Sequence, residues 1–193
     1  MRPFRVPIAA LIMLAACGGS GDGENGGGNR QADPPGSATS VAPAAFVGAT
    51  TDVSTPPSSA PPVALLDTIE IGDHPEFERV VFEFTNQVPG YHVGYATGPI
   101  IEDGSGDTLT VGGTAKIAVR MEAAAGFDLS GAGQQTYNGS NPIVHNGAIV
   151  IELVRSGDFE AVLSWVIGVG STQPFNVTTL TSPPRLVIDI KKP

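Results

Sequence analysis

The sequence predicts an all-β fold: a two-sheet β-sandwich with an internal pseudo-repeat, preceded by a disordered tether. Three observations carry that expectation. From Val63 onward, short runs rich in Val, Ile and Phe recur between Gly, Pro, Asn and Asp, which is strand-and-turn punctuation. No convincing amphipathic helical period appears anywhere in that stretch. Two parts of it also echo one another. The strands are expected at 64–71, 78–84, 91–97, 115–122, 147–154, 159–167, 175–180 and 185–190. Met121 to Ala125 reads as a helical turn that Gly126 stops.

The chain has 193 residues, a net charge of −9 and a single Cys, with Gly and Pro at about 22% together. One folded domain is expected from that length. One Cys excludes an intrachain disulfide framework and a Cys-based zinc finger. Net acidity argues against a nucleic-acid binder, which needs a basic footprint. No apolar run reaches 18 residues, the length an ordinary membrane helix requires.

Residues 1–16 read as a leader. Arg2 and Arg5 form a basic head, and Val6 to Leu14 is a short apolar stretch of signal-peptide length. The stretch ends in Leu14-Ala15-Ala16-Cys17, which resembles the bacterial lipobox. The resemblance implies lipidation of Cys17 with diacylglycerol and anchorage on the extracytoplasmic face of the cell membrane. Two acyl chains hold far better than one, at about 0.8 kcal/mol per buried CH₂. Loss of Arg2 and Arg5 would leave 8 basic against 19 acidic residues, a net −11.

Residues 17–62 are expected to be a disordered tether. GGSGDGENGGGN opens it, ADPPGSATS and STPPSSAPP follow, and Phe46 is its only aromatic residue. Such a composition cannot bury enough apolar area to offset its ordering entropy. The forty-five residues from Gly18 to Pro62 reach roughly 150 Å when stretched and average about 35–40 Å as a flexible coil. The tether then spaces the domain, residues 63–193, from the lipid headgroups. That domain carries 7 basic and 15 acidic residues.

Two echoes organise the domain. Phe77-Glu78-Arg79-Val80-Val81 is similar to Phe159-Glu160-Ala161-Val162-Leu163. Tyr91-His92-Val93 through Pro99 is similar to Phe175-Asn176-Val177 through Pro183. The spacings of 82 and 84 residues suggest two strand units packed face to face. A second echo joins Arg79-Val80-Val81-Phe82-Glu83-Phe84 to Arg185-Leu186-Val187-Ile188-Asp189-Ile190. Alternation puts Val80, Phe82 and Phe84 on one wholly apolar side, with Arg79, Val81 and Glu83 opposite. Leu186, Ile188 and Ile190 likewise oppose Arg185, Val187 and Asp189.

These strands resemble the AMIN domain of bacterial cell-wall amidases. Its Arg-Val-Val-x-hydrophobic strand matches residues 79–84, its aromatic-x-Val strand Tyr91-His92-Val93, and its terminal Pro-x-Arg-Leu-Val-x-Asp strand residues 183–190. A closer resemblance is to AMIN-like lipoproteins, through His74-Pro75-x-Phe77-x-Arg79, Gly157-Asp158-Phe159-Glu160 and Trp165-Val166-Ile167-Gly168. The resemblance implies a sandwich of two related sheets that binds peptidoglycan or another wall glycan, or positions an enzyme there. Residues 100–146 form an insertion outside that pattern.

No chemistry of catalysis is apparent. His74, His92 and His145 share no metal spacing, and there is no Gly-x-Ser-x-Gly elbow. No enzyme activity, metal or cofactor is expected. Asp103-Gly104-Ser105-Gly106-Asp107 weakly resembles the start of a calcium loop, but a Thr stands at the twelfth position, so a polar turn is expected. His145-Asn146-Gly147 is a hairpin signal.

Sugar recognition uses flat aromatic faces and planar polar groups. Tyr91, Tyr95, Tyr137 and Trp165 offer faces, although Trp165, central in Val162 to Val169, fits a core position better. Arg79, Glu83, Arg185 and Asp189 offer hydrogen-bonding forks. The alternative is that Arg79–Glu83 and Arg185–Asp189 are surface ion pairs worth about 0–1 kcal/mol. Arg79, Glu83, Tyr91, Arg185 and Asp189 are therefore the expected ligand-binding set. The expected partners are the membrane, through the Cys17 lipid, and a wall glycan. The alternative is a module that recruits or positions an envelope enzyme.

Overall fold

The computed structural model describes residues 46–57, 62–131 and 133–193. The expected leader, Cys17 and most of the tether lie outside these described residues. Within them the strands are β1 (Val53–Thr55), β2 (Ala64–Asp73), β3 (Phe77–Phe84), β4 (Gly90–Tyr95), β5 (Ile100–Ile101), β6 (Thr108–Leu109) and β7 (Ala115–Glu122). They continue as β8 (Ala124–Ala125), β9 (Ile143–Val144), β10 (Val150–Phe159), β11 (Val162–Val169), β12 (Phe175–Thr181) and β13 (Pro184–Lys191). No helix occurs among the described residues. The fold is all-β, as expected, and each of the eight expected strands has a counterpart.

A six-stranded sheet runs β1-β4-β7-β11-β10-β9, and a five-stranded sheet runs β12-β13-β3-β2-β8. Their inner faces share one core that includes Phe82, Phe84, Trp165, Ile167, Phe175 and Ile188. Each such side chain contributes about 1.5–3 kcal/mol when fully buried. Alternation in β3 is clean: Glu78, Val80, Phe82 and Phe84 are buried, while Arg79, Val81 and Glu83 are half-buried on the outer face. Trp165 is fully buried, its ring set edge-on to Tyr137 and Phe82. It is a core residue.

Strand β11 departs from alternation because both of its faces are covered. Leu163, Trp165 and Ile167 point into the main core. Val166 lies on the other side, in a small cluster with Val111 and Val154 against Ile100 and Leu109. Part of the 100–146 insertion thus lies across the outer face of the six-stranded sheet as the β5–β6 hairpin. Its polar tip is the expected turn, with Gly104 and Gly106 at positive φ.

Four expectations require correction. The folded part begins earlier than Val63. Val53–Thr55 pairs with β4, and Ala49 bridges Phe175 on β12, so residues 46–57 touch the edges of both sheets. The sequence of this segment is tether-like in composition, but an edge strand requires backbone pairing rather than apolar side chains. Met121–Ala125 is not a helical turn: Ala123 kinks at φ 53° between β7 and β8, and β8 pairs in parallel with Ala64–Leu65.

The third correction concerns the pseudo-repeat. The echo Phe159–Leu163 straddles the β10–β11 turn, where Glu160 and Ala161 both have positive φ, whereas Phe77–Val81 lies within β3. These segments are not structural equivalents. The other pairing of the repeat, Tyr91–Val93 with Phe175–Val177, keeps a common facing. Tyr91 and Val93 register with Met121 and Val119, and Phe175 and Val177 with Ile190 and Ile188, so both aromatic-x-Val pairs point inward.

Glu78 is the fourth. It extends the supposedly wholly apolar face of β3 and is 2% exposed. Its carboxylate accepts the N–H groups of Ala148 at 2.6 Å, Ile149 at 3.2 Å and Val150 at 2.7 Å. The expected hairpin at Asn146-Gly147 is present, with Asn146 at φ 55° and β9 paired to β10. Gly147 is required there, because a Cβ would stand 2.5 Å from Glu78 Oε1. Thus the inner face of one sheet holds the hairpin of the other through a charged acceptor. Glu78→Ala leaves the N–H groups of Ala148, Ile149 and Val150 without this acceptor, the last two of them buried. Two buried donors left unpaired are expected to cost about 2–6 kcal/mol, read as a lowered urea midpoint with little change in slope.

Candidate functional site

The pairing of β3 with β13 places the predicted Arg and acid side chains on one surface. Arg185 registers opposite Glu83, and Asp189 opposite Arg79. The ion pairs therefore run across strands, not along them as Arg79–Glu83 and Arg185–Asp189. Strand neighbours four apart are separated by about 13 Å, whereas directly opposed residues lie about 5 Å apart.

Arg79 donates from Nε at 2.6 Å and from Nη2 at 2.8 Å to the two oxygens of Asp189. This is a bidentate fork, and it pushes the Arg79 guanidinium further up from its ordinary value. Arg79 also sits over the ring of Phe77, 5.3 Å from its centroid. Arg185 donates from Nε to Glu83 at 2.6 Å. Val187, between the two pairs on the outer face, is 3% exposed. The result is a strip of two guanidinium groups, Arg79 held by two bonds and Arg185 by one, with further N–H groups unused by these pairs.

Tyr91 is not part of this strip. It lies on β4 in the other sheet, in register with Met121, and packs inward against the core. The other proposed aromatic faces are also structural. Tyr137 is 7% exposed. The Tyr95 hydroxyl donates to Gln173 O at 2.7 Å and accepts from Gln173 N at 2.9 Å. Among the described residues, the aromatic side chain left to solvent is Phe159, 66% exposed beside the β10–β11 turn.

Sequence reasoning missed a polar cavity of about 280 Å³ at the end of the sandwich where β10 turns into β11. Arg155, Asp158, Asn141, Gln135, Phe127 and Asp103 line it. A β-bulge between Arg155 and Gly157 creates it: Arg155 registers with Trp165, and Asp158 with Leu163. In a regular strand, residues three apart face opposite ways; the extra residue returns both to the inner side. The carboxylate and guanidinium then stand 3.8 Å apart. Gly157 leaves room for the Asp103 carboxylate, whose Oδ2 would lie 1.9 Å from a Cβ there. A Gly inside a strand pattern was the available signal.

Asp158 is an uncomfortable carboxylate. Oδ2 accepts the Gly126 N–H at 3.1 Å, while Oδ1 is buried without a partner. Burial pushes its pKa up, and the Gly126 N–H and Arg155 only partly oppose that. Among the described residues, no group of three or more His, Cys, Asp or Glu is arranged to hold a metal.

Two measurements follow from this electrostatics. Arg79→Ala strands a carboxylate that is 10% exposed and is expected to cost about 1–3 kcal/mol. Arg185→Ala leaves Glu83 at 29% exposure and is expected to cost under about 1 kcal/mol. Denaturant titrations of both variants check the order. For Asp158, the raised pKa means the folded state holds the proton more tightly. Its stability is fully present below the unfolded value of 3.8 and is lost as pH rises through the folded value. Asp158→Asn is therefore expected to melt higher than the natural chain at pH 7, the gap closing as pH falls towards 4.

No curated protein and no solved structure gives a significant match to the chain. Among models of known families, the AMIN-like domain matches residues 64–192, two thirds of the chain and everything from β2 to the end of β13. Both strands of the ion-pair strip, and the cavity, lie inside that match. The chain belongs to the AMIN-like domain family.

Proposed function

We propose that this protein is a non-catalytic binding module of the cell envelope. A lipid on Cys17 holds it to the extracytoplasmic face of the membrane. Its AMIN-like domain contacts peptidoglycan or another wall glycan. The family match over residues 64–192 is the observation that carries the reading. The strip on β3 and β13 supports it physically. Its guanidinium groups are held by carboxylates, so a glycan meets donors that need little further ordering. The net charge of −9 repels an anionic polymer at long range, which leaves short-range contacts to supply the binding.

A second reading is a module that recruits an envelope enzyme. Strand β12 supports it. Beyond the bridge at Phe175, its outer edge is unpaired among the described residues, and Thr178 to Thr181 are exposed. Such an edge accepts strand addition.

Co-sedimentation of the full chain with purified sacculi, at low and moderate salt, tests the first reading. Saturable pelleting that survives salt and weakens in Arg185→Ala is the expected result. A folded chain that stays in the supernatant at both salts overturns it in favour of a protein partner. For the anchor, Cys17→Ser is expected to move the protein from membranes to the soluble fraction, and retention after a salt wash counts against lipidation.

A further inference from the structure

The ion pairs on the outer strip satisfy one another, whereas the charged groups in the end cavity do not. An ionised carboxylate offers about four acceptor sites. Asp158 uses one of them, for the Gly126 N–H. Arg155 Nη1 stands 3.8 Å from Asp158 Oδ2, too far for a hydrogen bond. The Arg155 guanidinium donates no other hydrogen bond among the described residues; its backbone N–H alone is used, to Asn141 Oδ1 at 2.9 Å. Acceptor and donor thus stand side by side with capacity to spare, at a bulge that no regular strand would form.

We propose that this cavity is a recognition pocket for a single neutral saccharide unit, held by a pair of neighbouring ring hydroxyls. A hydroxyl is both donor and acceptor, so one group can donate to Asp158 and accept from Arg155 at once. A second hydroxyl meets the side-chain amides of Asn141 and Gln135. Phe127 supplies an apolar wall for the C–H face of the ring. The volume of about 280 Å³ is at the small end of ligand cavities, which suits one sugar unit and not a chain.

Charge sets the specificity. Glu102, Asp103 and Asp158 outnumber Arg155 in the lining, so an anionic sugar is repelled while a neutral one is not. The pocket also accounts for the bonding capacity that the Gly126 N–H leaves unused. A buried carboxylate beside an unengaged guanidinium, on a bulged strand, lowers stability unless something binds there. The proposal rests on the reading of the domain as a glycan binder, but it places the contact away from the strip on β3 and β13.

Amide chemical shifts of the isotope-labelled full chain provide the test, with glucose, galactose, mannose and N-acetylglucosamine as neutral probes and glucuronate as the acidic one. At least one neutral sugar is expected to shift the amides of Gly126 and of Arg155 to Asp158 saturably. Glucuronate is expected to bind about tenfold more weakly or worse. Arg155→Met, which breaks no hydrogen bond of the fold, is expected to weaken the neutral sugar about tenfold; Asp158→Ala serves as the second variant. The proposal is overturned if no neutral sugar moves these amides, if glucuronate binds equally well, or if Arg155→Met is without effect. Sacculus pelleting without sugar shifts at the cavity sinks this pocket and leaves the wall reading standing. Sugar shifts without pelleting do the reverse.

Discussion

The carboxylate of Glu78 is the constraint around which the two sheets are arranged. It projects from the inner face of β3 and receives three consecutive N–H groups where β10 begins. A buried charge is costly unless it is fully hydrogen-bonded, and here the backbone of the opposite sheet supplies the bonds. Hydrophobic contact between sheets is non-directional and tolerates sliding. Three directed bonds to one carboxylate do not. They set where the β9–β10 hairpin sits against β3, and hence where β10 starts its run along β11. The bulge at the far end of β10 acts on that alignment and turns Arg155 and Asp158 towards the same cavity.

The molecule uses charge in two different ways. On the outer face of the five-stranded sheet, each Arg faces a carboxylate across the strand boundary, and the pairs stiffen a flat surface. In the end cavity, Arg155 and Asp158 stand near each other without joining, and burial disfavours the ionised acid. The first arrangement holds donors in place at little cost. The second leaves capacity unspent, which is a property of binding sites more than of structural ones. Within the inserted residues, the β5–β6 hairpin covers the back of β11, and Phe127, Gln135 and Asn141 wall the cavity.

Much of the frame was legible in the residues. The alternation in 79–84 and 185–190 correctly separated core from outer face, because side-chain direction in a strand is a local property of period two. The Asn146-Gly147 turn was legible for the same reason, since positive φ is a local preference. Pair identity on the outer strip was not, because the partner of Arg79 lies 110 residues away and depends on register. Tyr91 shows the limit most clearly. Its sequence neighbours say that it is in a strand, but not which sheet or which way it faces. The Glu160-Ala161 turn escaped notice because neither residue favours the left-handed region it adopts.

By itself, then, the sequence determined the composition shift, the eight longer strands, most of their apolar faces and the family pattern, all of which are short-range properties of residue type and spacing. Tertiary structure alone decided that residues 46–57 join the sheet edges, that Glu78 holds the opposite hairpin, and that β10 bulges to bring Arg155 to Asp158. Each of those depends on backbone groups far apart in the chain meeting at hydrogen-bonding distance. No local preference encodes such a meeting; only the register of one sheet against the other does.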